Sequence, residues 1–255
     1  VIGRFAFDGK DISLFYTPHG YSFLMQNYKP IKRIAFKMLE KVCAKRKCMT
    51  ISCSEGEHKE TLKLTQNAIY INNAVNLDKL QKMIEQVEIQ DHPFTVFTLG
   101  RICFQKNPSL FNKIAEAMPD VKFIWIGEGE LREELTAINI EITGWIKREQ
   151  ALKLSINADV FILTSLWEGL PVSLLESMYM KKLCVVNNVI GNRDVIHNGY
   201  NGVVCNSVID FIEGINAARE KRAKKLIDRA FEDILEFYNT NVQIEAYDRI
   251  YKKVF

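Results

Sequence analysis

From about Phe94 to Cys205 the chain alternates continuous apolar runs with helix-patterned stretches, and nothing else in the sequence constrains the fold as much. "FTVFTLG", "VKFIWIG" and "ADVFILTS" read as strands buried on both faces, and "IEITG", "LCVVNN" and "GVVC" as shorter ones. Between them "NPSLFNKIAEAM", "ELREELTAI", "KREQALKLSIN" and the stretch opened by Pro171 read as helices, with a short one near "NRDVIHNG". In the first helix Asn107 stands where a cap is needed and Pro108 at the first helical position, where its missing N–H costs nothing. Strands separated by helices of this length predict a parallel sheet covered on both faces. Such a doubly wound α/β domain takes ligands at the carboxyl ends of its strands.

The first 80 residues read as part of a second α/β unit. "VIGRFAF" has a helical pattern, and "DISLFYTPHG" is a strand running into a His-Gly turn. "CMTISCS" is a strand, "EGEHKETLKL" a helix capped by Ser54, and "NAIYINNAV" a last strand leading to a linker near 76–93. About three strands are fewer than a complete unit of this type uses. From Asp210 the tail is helical, and near its end Val242, Ala246, Ile250 and Val254 share one stripe.

The 255 residues suffice for one large domain or two modest ones, and a composition of 47% hydrophobic and 25% charged residues is that of an ordinary globular protein. No apolar run approaches the ~18 residues of a membrane span, and no signal peptide opens the chain. Six cysteines form no C-x-x-C pair, and Cys43, Cys48 and Cys53 stand too far apart for a zinc knuckle. They read as reduced thiols of a cytoplasmic protein, with no metal site. A net charge of +3 is mild, and no nucleic-acid partner is expected. The charge is unevenly spread, however. Lys29, Lys32, Arg33, Lys37, Lys41, Lys45, Arg46 and Lys47 gather within 29–47 against Glu40 alone, while Ile31, Ile34, Ala35, Met38 and Val42 recur at helical spacing on another face. A basic amphipathic helix of this kind suits an anionic membrane surface; equally, its apolar stripe could pack on the domain.

Candidate chemistry lies at the strand ends. "LGRICFQKN" puts Arg101 and Lys106 in a loop before a helix, where two cations and free backbone N–H groups favour an anion. "GEGELREE" lacks the third glycine and the downstream acid of a nicotinamide fingerprint, and no G-x-x-x-x-G-K-[ST] run occurs. In "LWEGLPVSLLESM", Glu168 and Gly169 occupy a strand-to-helix turn, and Pro171 opens the helix. Gly169 allows close backbone approach. Val172 and Glu176 form an i, i+4 pair, so Glu176 can look back over the helix entrance, where a carboxylate suits the two hydroxyls of a ribose. Spacing alone favours an ordinary helix start, with Glu168 set by the helix dipole and Glu176 solvated.

"WEGLPVSLLESM" resembles the E-x7-E signature of the family 4 retaining glycosyltransferases, and "LGRICFQKN" their donor-phosphate loop. The likeness runs from about Phe94 to Cys205 and extends through "FYTPHGYSF", "ISCSEGEHK" and "YINNAV"; "TPHG" is most similar to the bacterial capsule, lipopolysaccharide and exopolysaccharide members. The resemblance implies a GT-B fold of two Rossmann-like domains facing across a cleft, the N-terminal one incomplete here. On it, residues 1–80 would belong to the acceptor-side domain, 81–237 to the nucleotide-sugar domain, and 238–255 to a helix crossing back. Arg101 and Lys106 would hold the diphosphate of a nucleotide-sugar, most readily a UDP-sugar, while Glu176 would take the ribose hydroxyls and Glu168 those of the sugar. Backbone at Gly169, Leu170, Pro171 and Val172 would reach sugar or phosphate, and that at Gly144, Trp145 and Ile146 the base. His19 would sit over the donor sugar. The implied activity is metal-free and cofactor-free transfer, with retention, to a cell-surface polysaccharide or lipid-linked glycan at the inner membrane face. The alternative is an incomplete module that holds the nucleotide-sugar without transferring it.

Overall fold

The computed structural model of the chain describes Arg4 and residues 13–254. The helix expected over "VIGRFAF" therefore lies outside the described residues, Arg4 apart. Two parallel sheets organise the rest. The smaller has the order β1-β2-β3, from β1 (Phe15–Tyr16), β2 (Met49–Ser52) and β3 (Ala68–Tyr70), with Phe15 opposite Met49 and Thr50 opposite Ala68. Helix α1 (Pro30–Cys43) connects β1 to β2, and α2 (Glu55–Leu62) connects β2 to β3. Ser54 caps α2 as expected, its hydroxyl accepting the Glu57 N–H.

The expected linker at 76–93 is partly helical. Asn76 accepts the Lys79 N–H and starts α3 (Leu77–Ile84), whose Leu80 is fully buried against the second unit. That unit carries β4 (Thr95–Leu99), α4 (Pro108–Glu116), β5 (Lys122–Ile126), β6 (Ile140–Ile142), α5 (Arg148–Ile156) and β7 (Val160–Leu163). It continues with α6 (Val172–Tyr179), β8 (Leu183–Asn187), β9 (Val203–Cys205), α7 (Val208–Arg219) and α8 (Lys224–Phe237). All six strands are parallel, in the order β6-β5-β4-β7-β8-β9. Successive side chains point to opposite faces, so Phe97, Ile124 and Phe161 enter one apolar cluster, and Val96, Phe123 and Ile162 the other. Strand order reverses between β4 and β7, which opens a crevice at their carboxyl ends.

Two expected helices are absent. "ELREELTAI" forms only a 3-10 turn at Arg132–Glu134, because the Asn112 side-chain oxygen accepts the N–H groups of Thr136 and Ala137 and turns the chain toward β6. "NRDVIHNG" forms turns. There the Asn201 amide accepts the His197 N–H and donates to the Val195 carbonyl, taking over groups that a helix would pair internally. Asn107 caps α4 as expected, but in the left-handed region at φ 53°. The last helix, α9 (Thr240–Val254), returns to the small sheet: Gln243 donates to the Asn72 carbonyl, and the Tyr251 ring meets Phe15 edge-on at 5.1 Å.

Candidate functional site

Every sequence-predicted loop of the second unit opens at the carboxyl end of a strand. The β4 loop is stitched to the end of β7. Thr164 Oγ1 donates to the Lys106 carbonyl at 2.6 Å, and Leu166 N donates to the Gln105 carbonyl at 2.8 Å. Gln105 Nε2 in turn donates to the Trp167 carbonyl at 2.9 Å. This ties Lys106 beside Glu168, with Lys106 Nζ 2.7 Å from Glu168 Oε1. The pair is nearly enclosed, at 17% and 8% side-chain exposure, so each charge depends on the other for solvation. Arg101, at the start of the same loop, is instead exposed and pairs with Glu130 at 3.0 Å.

Glu168 is followed by the turn that starts α6. Pro171 precedes its first residue with extended backbone (φ −75°, ψ 121°), and no side chain caps the end. The amides of Gly169, Leu170, Val172 and Ser173 have no acceptor among the described residues, leaving a donor-rich helix entrance. Leu170 is buried, and its carbonyl accepts from Asn73 Nδ2 of the first unit at 2.8 Å. Glu176 is 7% exposed, so the ordinary solvated helix start does not describe it. Nor does it turn back over Val172, which is exposed; its carboxylate pairs with Arg148, at the start of α5. Arg148 is a residue that sequence reasoning missed. Its one signal is its place just after the Gly144-Trp145-Ile146 stretch, because 28 residues separate it from Glu176.

Gly144 turns the chain after β6 with φ 69°, and Trp145 stands out at 73% exposure beside it, while Ile146 packs against the core. Across the crevice, the first unit supplies the His19–Gly20 turn. His19 is exposed with φ 49°, and Gly20 follows with φ 100°. A Cβ on Gly169 would lie 3.2 Å from the His19 carbonyl carbon, 3.3 Å from Gly20 N and 3.0 Å from Cys53 Sγ. The two turns therefore touch backbone to backbone, and glycine is what lets them. Burial pushes the Cys53 thiol well above the usual range, with the neighbouring Glu57 carboxylate adding to the effect. An unreactive thiol results. The remaining cysteines are free as well, and all but Cys103 are buried.

The structure thus brings Lys106, Glu168, Gly169 and the His19 turn together, and places Glu176 and Arg148 on the same side of the sheet; Arg101 stays outside this cluster. Two parallel-sheet units meeting over a crevice of paired cations and carboxylates define the GT-B class of fold. Solved structures agree: sucrose-phosphate synthase from Thermosynechococcus elongatus superposes with a TM-score of 0.85 at 15% identity, covering 100% of this chain and 71% of that one. Anabaena HepE, solved in complex with UDP-glucose, gives 0.80 at 15% identity, covering 98% and 75%.

The chain belongs to the family "Glycosyl transferases group 1", whose profile matches residues 79–233. Among curated proteins it is 27% identical to the Escherichia coli UDP-Gal:alpha-D-GlcNAc-diphosphoundecaprenol alpha-1,3-galactosyltransferase, over 84% of this chain and 62% of that protein. It is 25% identical to the Campylobacter jejuni N,N'-diacetylbacillosaminyl-diphospho-undecaprenol alpha-1,3-N-acetylgalactosaminyltransferase, over 79% and 58%. The chain spans about three fifths of the length of these relatives.

Proposed function

We propose that the protein transfers a sugar, with retention, from a UDP-sugar to a lipid-linked or polysaccharide glycan. The observation that carries this reading is the enclosed Lys106–Glu168 pair beside the open amides of the α6 entrance, within the residues that match the family. In the reaction the bond between the sugar's anomeric carbon and the diphosphate breaks, and a bond to the acceptor hydroxyl forms on the same face. Negative charge grows on the leaving diphosphate. The Lys106 ammonium and the amides of Gly169, Leu170 and Val172 stabilise that charge where it develops, with Arg101 closing on the phosphates from the loop. Glu168 accepts hydrogen bonds from sugar hydroxyls and Glu176 from those of the ribose. Backbone at Gly144 to Ile146 meets the base, and His19 covers the donor sugar. Neither glutamate serves as a nucleophile, unlike the carboxylate pair of a glycosidase, which flanks the bond to be cut.

Donor binding tests the reading directly. Glu176→Ala and Lys106→Ala each weaken UDP binding in calorimetry by more than ~1 kcal/mol, the scale of a lost charge-assisted hydrogen bond; unchanged affinity refutes the donor assignment. The charge stabilisation proposed here uses protein groups alone, so chelator leaves transfer intact. A strict Mg²⁺ requirement contradicts it. If UDP binds tightly and no UDP-sugar is turned over, the chain is a nucleotide-sugar-binding module instead.

The acceptor half of the reading includes a membrane surface. Among the described residues no helix is long and apolar enough to cross a membrane. Helix α1, however, turns its apolar residues outward, with Ile31 83% and Met38 64% exposed, and Lys32, Lys37 and Lys41 are exposed on the same helix. The alternative in which this stripe packs on the domain is not what the helix does. We place it against anionic lipid, where the apolar stripe enters the interface and the lysines meet phosphate head groups.

A further inference from the structure

The His19–Gly20 turn is held from behind by a buried carboxylate that the reaction does not use. Glu57 lies in the first turn of α2 and is 1% exposed. Its Oε1 accepts the Gly20 N–H at 2.5 Å, and its Oε2 accepts the Cys53 N–H at 2.8 Å. In an ordinary capping box this side chain would return to the N–H of the capping residue, Ser54. Here it reaches past the cap and clamps a turn 37 residues away. No cation pairs with it among the described residues, so the two amides carry its solvation.

A second carboxylate holds the same end of α2 from the other unit. Asp194, in the turns after β8, uses one oxygen twice: Oδ2 accepts Gly56 N–H at 2.9 Å and Gly191 N–H at 3.1 Å. A Cβ on Gly56 would sit 2.5 Å from that oxygen, so no other residue fits there unshifted. Gly191 is likewise packed on the Gly169 carbonyl, and Gly169 on the His19–Gly20 turn. The contacts therefore close a ring: Gly20 to Glu57, neighbouring Gly56 to Asp194, then Gly191 to Gly169 and back to Gly20. The ring runs through both units and returns to the point where the two turns of the crevice touch.

We propose that Glu57 and Asp194 are positioning residues that set the His19–Gly20 turn against Gly169, fixing the height of the crevice over the donor sugar. This rests on the proposed reading of the crevice and adds the groups that determine its closed geometry. His19 holds φ 49°, which a residue with a Cβ keeps only where its surroundings impose it, whereas Gly20 adopts its φ of 100° freely. Glu57 and the Gly169 backbone are what impose it. The two carboxylates differ in a way that can be measured. Glu57 needs both oxygens, so glutamine must present an NH2 group to one of two backbone N–H donors. Asp194 needs one oxygen, so asparagine can replace it.

The experiment compares Glu57→Gln, Asp194→Asn and Asp194→Ala in the full chain. Three quantities are read: hydrogen exchange of the Gly20 and Gly56 amides, UDP affinity, and UDP release from UDP-glucose, UDP-galactose and their N-acetylated counterparts. Glu57→Gln and Asp194→Ala are expected to speed exchange at Gly20 and Gly56 respectively by tenfold or more. Both should lower kcat at least tenfold, with KM for the donor and UDP affinity within threefold of the parent. Asp194→Asn should match the parent in all three. Loss of kcat in Asp194→Asn equal to that in Asp194→Ala overturns the proposal, as does unchanged kcat in a variant whose amide has lost protection. Should Glu57→Gln fail to fold, the two Asp194 variants decide the matter. A parent chain that neither binds UDP nor releases it sinks the donor reading; the amide pattern then still upholds or refutes the ring.

Discussion

The large sheet and the small sheet come from the same alternation of strand and helix, yet they differ in what covers them. Around the six-stranded sheet, both apolar clusters are closed: Phe161 packs on Phe97 on one face, and Phe111 on Phe123 and Trp125 on the other. Beside the three-stranded sheet, α1 leaves Ile31, Ile34, Met38 and Val42 exposed. The period of apolar residues is equally clear in both regions. A periodic pattern therefore identifies a face, and only the surroundings decide whether that face becomes core or contact surface.

The contrast can be broken by substitution, with effects that shrink from the first region to the second. Phe161→Ala removes a fully buried ring from the large cluster and should cost 3–5 kcal/mol, on the order of other buried aromatic truncations, as a lower denaturant midpoint. A pH effect comes next. Lys182, just before β8 in the same unit, is half-buried, its Nζ donating to the carbonyls of Ile156 and Ala158, and desolvation lowers its pKa from 10.5 to about 8. The unfolded chain thus holds more protons between pH 8 and 10.5, so stability from this group rises with pH across that window. Relative to Lys182→Met, the parent should gain up to roughly 3 kcal/mol there; a flat difference removes the assignment. The smallest effect on stability falls on α1. Ile31→Ser should stay within about 0.5 kcal/mol of the parent. Combined with Lys32→Glu and Lys41→Glu, it should nevertheless abolish sedimentation with anionic vesicles, and unaltered sedimentation retires the membrane contact.

The same contrast explains what could be read from sequence. β4, β5, β7 and β8 were legible because a strand buried on both faces is a continuous apolar run, and α4 because Pro108 and Asn107 mark its start by local chemistry. The turn-forming stretch after β8 was not, because Asn201 competes for its backbone groups from several residues downstream. The site divides similarly. Lys106 and Glu168 could be placed at neighbouring strand ends, since strand and helix order fixes which loops share a crevice. That Arg148 pairs with Glu176, and that Glu57 and Asp194 brace the His19 turn, depends on contacts across 28, 37 and 138 residues. No local period encodes such contacts.

One feature of the crevice bears on how a ligand arrives. Lys106, Arg101 and Arg148 each already have a carboxylate partner, in Glu168, Glu130 and Glu176. At a distance these pairs cancel, so they cast little field to draw an anion in from solution. A doubly charged diphosphate would then meet the protein at an ordinary diffusional rate that changes little with ionic strength. On the proposed function, selection would fall to the last few ångströms, where the anion would trade places with the carboxylates and release them to the hydroxyls of the same ligand.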